Sequence, residues 1–178
     1  MTNSSDRSLQ LDARQPKFEL ARPFFDELLA QAASSPRRRM FRNIHQSHDE
    51  PVQRLVIAML PDSYVPIHRH NRQHQWEMFI VLAGSVDMLC FDEQGVVTFR
   101  QTLTAGQSYT GLELPPGVWH TLVCDTPCVF IEIKQGPFDP NQPRDTAPFC
   151  PVEQSTDCPQ FLRWLKQAQL GDMSSWCE

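Results

Sequence analysis

The stretch His68-Arg69-His70-Asn71-Arg72-Gln73-His74-Gln75-Trp76-Glu77, followed by Met78-Phe79-Ile80-Val81-Leu82 and Ala83-Gly84, decides how this chain reads. In a β-strand, residues two apart point to the same face. His68 and His70 therefore aim two imidazoles at one point, while Arg69 points away. Glu77 opens an apolar run that reads as the next strand, so a neighbouring strand brings its carboxylate to the same place. Two nitrogens and an oxygen suit a divalent transition metal. The rest of the chain must then supply a scaffold and a fourth ligand.

Working outward, the period stays at two. Apolar or alternating segments at 52–60, 64–70, 75–82, 86–91, 96–103, 112–114, 119–124 and 128–134 are separated by Pro, Gly, Asn and Asp turns. Eight or nine short strands with no helix between them predict an all-β antiparallel barrel or sandwich, best matched by an eight-strand jelly roll. Helical spacing occurs only outside this region. Phe24, Phe25, Leu28, Leu29 and Ala32 follow Pro23, with Asp26 and Glu27 expected in the first turn, where the helix dipole favours acids. Phe161, Leu162, Leu165 and Ala168 follow Asp157 and Pro159, and Gly171 marks the stop. The expected organisation is a disordered arm over residues 1–20, a helix and basic segment over 21–50, the barrel over 51–136, and a Pro-rich tail with a helix over 137–178. Residues beyond Gly171 read as a frayed end.

Composition excludes several classes. A net charge of −5 gives no general attraction to nucleic acid or an anionic membrane. No apolar run reaches the ~18 residues of a membrane helix, and the polar start Met1-Thr2-Asn3-Ser4-Ser5 is no secretory signal. The six cysteines form no CxxC pair, so they read as reduced thiols of a cytoplasmic protein.

The fourth ligand candidate is His120, in Pro115-Pro116-Gly117-Val118-Trp119-His120-Thr121, where a tight turn launches a strand. HxH, then Glu77, six residues and Gly84, then PxGxxH, is similar to the two motifs of the cupin superfamily. Here the carboxylate stands seven places after His70, which makes 71–74 a lengthened loop. Cys124 and Tyr109 stand where the second motif usually has Asn and Gly. Over most of its length the chain resembles the WbuC family of cupin-fold metalloproteins. The matching stretches include Ser35-Pro36-Arg37, Asn43-Ile44-His45, Ser63-Tyr64-Val65, Trp76-Glu77, Trp119-His120-Thr121, Glu132-Ile133-Lys134-Gln135-Gly136-Pro137 and Phe161-Leu162-Arg163-Trp164-Leu165. The resemblance implies a jelly roll with one metal on His68, His70, Glu77 and His120, and a link to surface-polysaccharide (O-antigen) synthesis. Fe, Mn, Ni, Co and Zn all suit this donor set.

Further candidates surround that site. Arg37, Arg39, Asn43 and His45 belong to a basic segment that reads either as a solvated loop or as an anion-binding flap over the barrel mouth. Glu132 and Lys134 alternate with Ile131 and Ile133, and either line the cavity or form a solvent-facing salt bridge. Tyr64, Gln53 and Arg54 are placed within reach of the cavity. His74 reads as an exposed loop residue, and Trp76 and Trp119, flanking ligands, point away from the metal. The function expected is metal-assisted, isomerase- or epimerase-like chemistry on an anionic sugar derivative. An Fe(II) dioxygenase and a non-catalytic regulatory binding module stay open, as does a homodimer.

Overall fold

The computed structural model describes residues 18–141 and 144–176. Ten strands form two five-stranded sheets. One holds β1 (Arg39–Asn43), β2 (Val52–Met59), β9 (Cys128–Gln135), β4 (Glu77–Ala83) and β7 (Gly111–Leu114), in that order. The other holds β10 (Asp145–Thr146), β3 (His68–Arg69), β8 (Trp119–Val123), β5 (Ser85–Phe91) and β6 (Val97–Thr104). From β2 to β5, and again from β6 to β10, each connection crosses to the opposite sheet, and all pairings are antiparallel. This is a jelly roll, as the alternating pattern predicts.

Burial is arranged in three layers. Between the sheets lie Met59, Phe79, Val81, Met88, Leu122 and Phe130. On the outside of the first sheet, α1 (Arg22–Ser34) presses Leu28 and Ala32 onto Val56, Ala58, Val129 and Ile131. On the outside of the second, α2 (Cys158–Gln167) presses Phe161, Leu162 and Leu165 onto Leu89, Phe91, Trp119 and Val123. Each helix thus covers a sheet face that would otherwise expose an apolar surface. Strand β8 is buried on both faces as a result, and its two polar residues, His120 and Thr121, are buried with the rest.

Four expectations change. The basic segment is partly strand: β1 pairs with β2 from Arg39↔Met59 to Asn43↔Leu55, so it is a sheet edge and not a loop. The strand expected over 64–70 shrinks to His68–Arg69, because Pro66 has no N–H for the ladder. Helix α1 begins at Arg22, so Asp26 and Glu27 fall beyond the first turn, and Asp26 accepts from Arg22 at 2.9 Å instead. The end is not frayed up to Ser174: Val97 N–H donates to Asp172 O at 2.8 Å, Ser174 N–H donates to Gly95 O at 3.0 Å, and Ser174 is buried. Of the expected N-terminal arm, residues 1–17 lie outside the described residues.

Gly84 shows why the motif needs glycine. It turns β4 into β5 at φ +74°, and a Cβ there would stand 2.6 Å from Pro127 O. A side chain is excluded by both conformation and space.

Candidate metal centre and its cavity

The two sheets contribute to one polar cluster inside an apolar interior. His68 and His120 are direct cross-strand partners on β3 and β8. Glu77 opens β4 on the facing sheet, paired with Lys134 on one side and Leu114 on the other. His70 leaves the end of β3. All four are buried, Glu77 to 3% exposure and His120 to 2%. Glu77 Oε1 lies 3.0 Å from His70 Nε2, and Oε2 lies 3.2 Å from His120 Nε2. The rings of His68 and His120 are 4.4 Å apart, and those of His68 and His70 are 5.6 Å apart.

The backbone sets how two of the rings face. His68 Nδ1 is 2.9 Å from Pro66 O, and His120 Nδ1 is 2.9 Å from Val118 O. A carbonyl only accepts, so each Nδ1 carries a proton and each ring turns its Nε2 inward. Although close to Glu77, His120 Nε2 is not aligned for a hydrogen bond and has no partner; His70 Nδ1 has none either. Imidazoles tied at Nδ1 with Nε2 turned inward, facing a buried carboxylate, are the arrangement protein metal sites use. The donor set fits a divalent transition metal. Among the described residues, no three His, Cys, Asp or Glu side chains already stand in coordination geometry; the imidazoles gather around Glu77 rather than around a common point.

Electrostatics follow from burial. His68 is pushed well below the usual histidine range by desolvation, helped by His120 and Arg144. Burial works to raise the Glu77 carboxyl, but contact with His120 and His70 holds it well below the usual carboxylate range. Burial also opposes the Lys134 charge, yet the carboxylates of Glu132 and Glu77 outweigh it and raise its pKa. Lys134 Nζ is 2.6 Å from Glu132 and 3.7 Å from Glu77.

A cavity of about 220 Å³ opens from this cluster. The face of β9 carrying Phe130, Glu132 and Lys134 lines it, so the charged pair is inside and does not face solvent. Arg37 and Arg39 also line it, held by Glu153 at 2.8 and 2.5 Å. Arg39 further donates to Tyr64 O at 2.7 Å. The apolar wall includes Met40, Phe41, Ile57, Phe79 and Phe138.

Other candidates lie elsewhere. Tyr64 turns outward into the α2 layer and its hydroxyl donates to Pro151 O at 2.8 Å, because Pro66 breaks the alternation that would have aimed it inward. Asn43 is exposed at the end of the edge strand. His45 is buried against β2, where Nδ1 meets the Arg54 backbone at 2.9 Å, and it does not line the cavity. Arg42 faces Glu27 at 3.9 Å, Gln53 donates to the Glu50 carbonyl at 2.8 Å, and Arg54 pairs with Glu50 at 2.5 Å. His74 is an exposed loop residue, and Trp119 packs in the outer core with Arg69 4.1 Å above its ring. Cys90, Cys124, Cys128, Cys150 and Cys158 are free and buried, outside the cluster. Sequence reasoning missed Arg144 and Glu153. Both lie in the Pro-rich tail, where no periodicity signals which residues fold back onto the barrel.

Comparison with known proteins adds modestly to this picture. A family model described as a domain of unknown function (DUF6016) matches residues 20–103, a span with His68, His70 and Glu77 but not His120. No curated protein matches the chain. Among solved structures, the capsular polysaccharide assembling protein CapF from Staphylococcus aureus is similar at 23% identity and TM-score 0.49, over 60% of this chain and 28% of that one. The chain thus spans less than a third of CapF. A conserved protein with a double-stranded β-helix domain from Klebsiella pneumoniae is similar at 18% identity and TM-score 0.49, over 69% of this chain and 93% of that one. A cupin-2 domain protein from Shewanella frigidimarina is similar at 22% identity and TM-score 0.42, over 55% and 80%. The strand order, the two antiparallel sheets and the enclosed cavity between them make this an all-β protein of the cupin fold.

Proposed function

We propose that this protein is a metal-dependent cupin that acts on a small anionic molecule held between the metal centre and the basic mouth of the barrel. One divalent transition metal would be held by His68, His70, Glu77 and His120. The single observation that carries the reading is the inward Nε2 of His120, buried, 3.2 Å from Glu77 and without an aligned hydrogen-bond partner among the described residues. A buried nitrogen left in that state costs about 1–3 kcal/mol, and a bound cation removes the cost. When present, a metal supplies Lewis-acid polarisation of a carbonyl or hydroxyl oxygen, the chemistry of an isomerase or epimerase.

The protein's own groups supply the rest. Phe79 and Leu122 keep the interior dry, which strengthens charge interactions there. Lys134, held by Glu132, keeps a positive charge beside the cluster for negative charge developing on a bound ligand.

The test is elemental analysis of protein purified without chelator, alongside His120→Ala. About one transition-metal ion per chain is expected. Loss of one donor should weaken retention at least about tenfold. Unaltered protein that holds no metal, and takes up none on reconstitution, overturns the reading.

A further inference from the structure

The cavity wall is chemically lopsided. Of the side chains around it, the polar ones are all ionisable: the histidines, Glu132, Lys134 and three arginines. Among the described residues, no Ser, Thr, Asn, Gln or Tyr lines it. A sugar presents hydroxyls on every side, each of which loses water on entry and needs a donor or acceptor in return, whereas most of the described side chains lining this cavity are apolar. An apolar body needs none, and Phe41, Phe79, Phe130 and Phe138 suit one.

The charges at the mouth are unbalanced in one direction. Arg37 and Arg39 share the single carboxylate of Glu153, and Lys134 is matched by Glu132. That leaves the Arg37–Arg39 pair one positive charge in excess. Arg144 lines the cavity half-buried, in the field of Glu153, Glu132 and Glu77, but makes no direct ion pair or side-chain hydrogen bond among the described residues; counting Glu77 beside Lys134, one positive charge stays in excess. A partly desolvated guanidinium without a partner is costly, and its planar fork matches a carboxylate. Arg144 also lines a second surface cavity beside His70 and Gln75, so it stands where the interior meets solvent.

We infer that the cavity takes a small carboxylic acid with an apolar, aryl or cycloalkyl body, its carboxylate anchored by Arg144 and its body seated on the phenylalanine wall. This deepens the proposed metal-dependent reading and rests on it only for the chemistry, not for binding. The cavity is smaller than the ~300 Å³ at which pockets for drug-sized ligands begin, so the acid is compact and not a nucleotide conjugate.

The test is isothermal titration calorimetry on the full chain, both chelator-stripped and metal-reloaded. The probes are phenylacetate, 3-phenylpropionate and cyclohexanecarboxylate, their primary amides, glucuronate, and glucose 6-phosphate. At least one apolar carboxylate should bind once per chain, about tenfold more tightly than its amide and than either sugar anion. Arg144→Gln should erase most of that preference while metal content per chain stays as in the unaltered protein. Equal binding of acid and amide removes the anion anchor. Tighter binding of a sugar anion removes the apolar body. Carboxylate binding that needs metal and ignores Arg144→Gln places the carboxylate on the metal and overturns the assignment, as does failure of every carboxylate in both states. Arg144-dependent binding in a protein that takes up no metal leaves this inference standing and sinks the metal centre alone.

Discussion

Replacing Glu77 with Gln separates a metal site from a simple buried ion-pair cluster, because the two predict opposite signs. In the metal-free protein, Oε2 of Glu77 lies 3.2 Å from His120 Nε2, which has no aligned hydrogen-bond partner among the described residues. The Gln amide nitrogen can donate to that nitrogen while its oxygen stays beside His70 Nε2, now 3.0 Å from Oε1. One unsatisfied buried acceptor is relieved, and one buried charge disappears. Lys134 loses a carboxylate at 3.7 Å but keeps Glu132 at 2.6 Å. The net gain is about 1–2 kcal/mol. For a chain of this size that is a rise in Tm of roughly 3–6 °C. With metal present the sign reverses, since a charged donor has been made neutral, and affinity should fall at least about tenfold. The assay is calorimetric melting of both proteins in chelator and with added zinc or manganese. A lower Tm for Glu77→Gln in chelator would mean that protonated imidazoles hold the carboxylate as a structural ion pair, and the metal argument would lose its basis.

Other perturbations test the surrounding structure. Tyr64→Phe should cost about 1–2 kcal/mol by leaving Pro151 O unpaired, with metal content and carboxylate binding unchanged; altered ligand binding would return Tyr64 to the cavity. Arg100 donates to Leu165 O, Lys166 O and Ala168 O at 3.0, 2.9 and 2.6 Å, closing the C-terminal end of α2. Arg100→Met should therefore lower stability by roughly 2–4 kcal/mol, read by denaturant unfolding, and a cost below the error of the measurement would show the cap to be idle. Gly84→Val, forced to φ +74° against Pro127 O, should abolish soluble expression or lower Tm sharply, whereas an unchanged melt would contradict the close approach. The Glu153 carboxyl is held below its ordinary value by Arg37 and Arg39 although burial opposes this. A depressed carboxyl stabilises above its unfolded pKa and loses that contribution as pH falls through its folded one. Melting from pH 7 down to about 3 should show a loss below about pH 4.5 that Glu153→Gln lacks; parallel curves for the two proteins would exclude the pair as a source of stability.

Local sequence determined the strands and pointed to the candidate ligands. Period-two alternation placed His68 and His70 on one side, the run after Glu77 marked β4, and Gly84 and Gly117 marked turns that take positive φ. These are nearest-neighbour properties, set by side-chain direction and backbone sterics. Tertiary structure decided the rest. Alternation cannot say which face of β9 is inside when both are covered, so only the packed sandwich turned Glu132 and Lys134 toward the cavity. A basic run became the edge strand β1 because β2 offered it a ladder. Arg144 and Glu153 reached the barrel mouth from a tail without periodicity, Glu153 through ion pairs with Arg37 and Arg39 more than a hundred residues earlier in the chain. The candidate donors were legible because His68, Glu77 and His120 sit on strands and His70 directly follows one. The shape and charge of the ligand cavity were not, because Arg37, Phe138 and Arg144 reach it from irregular segments.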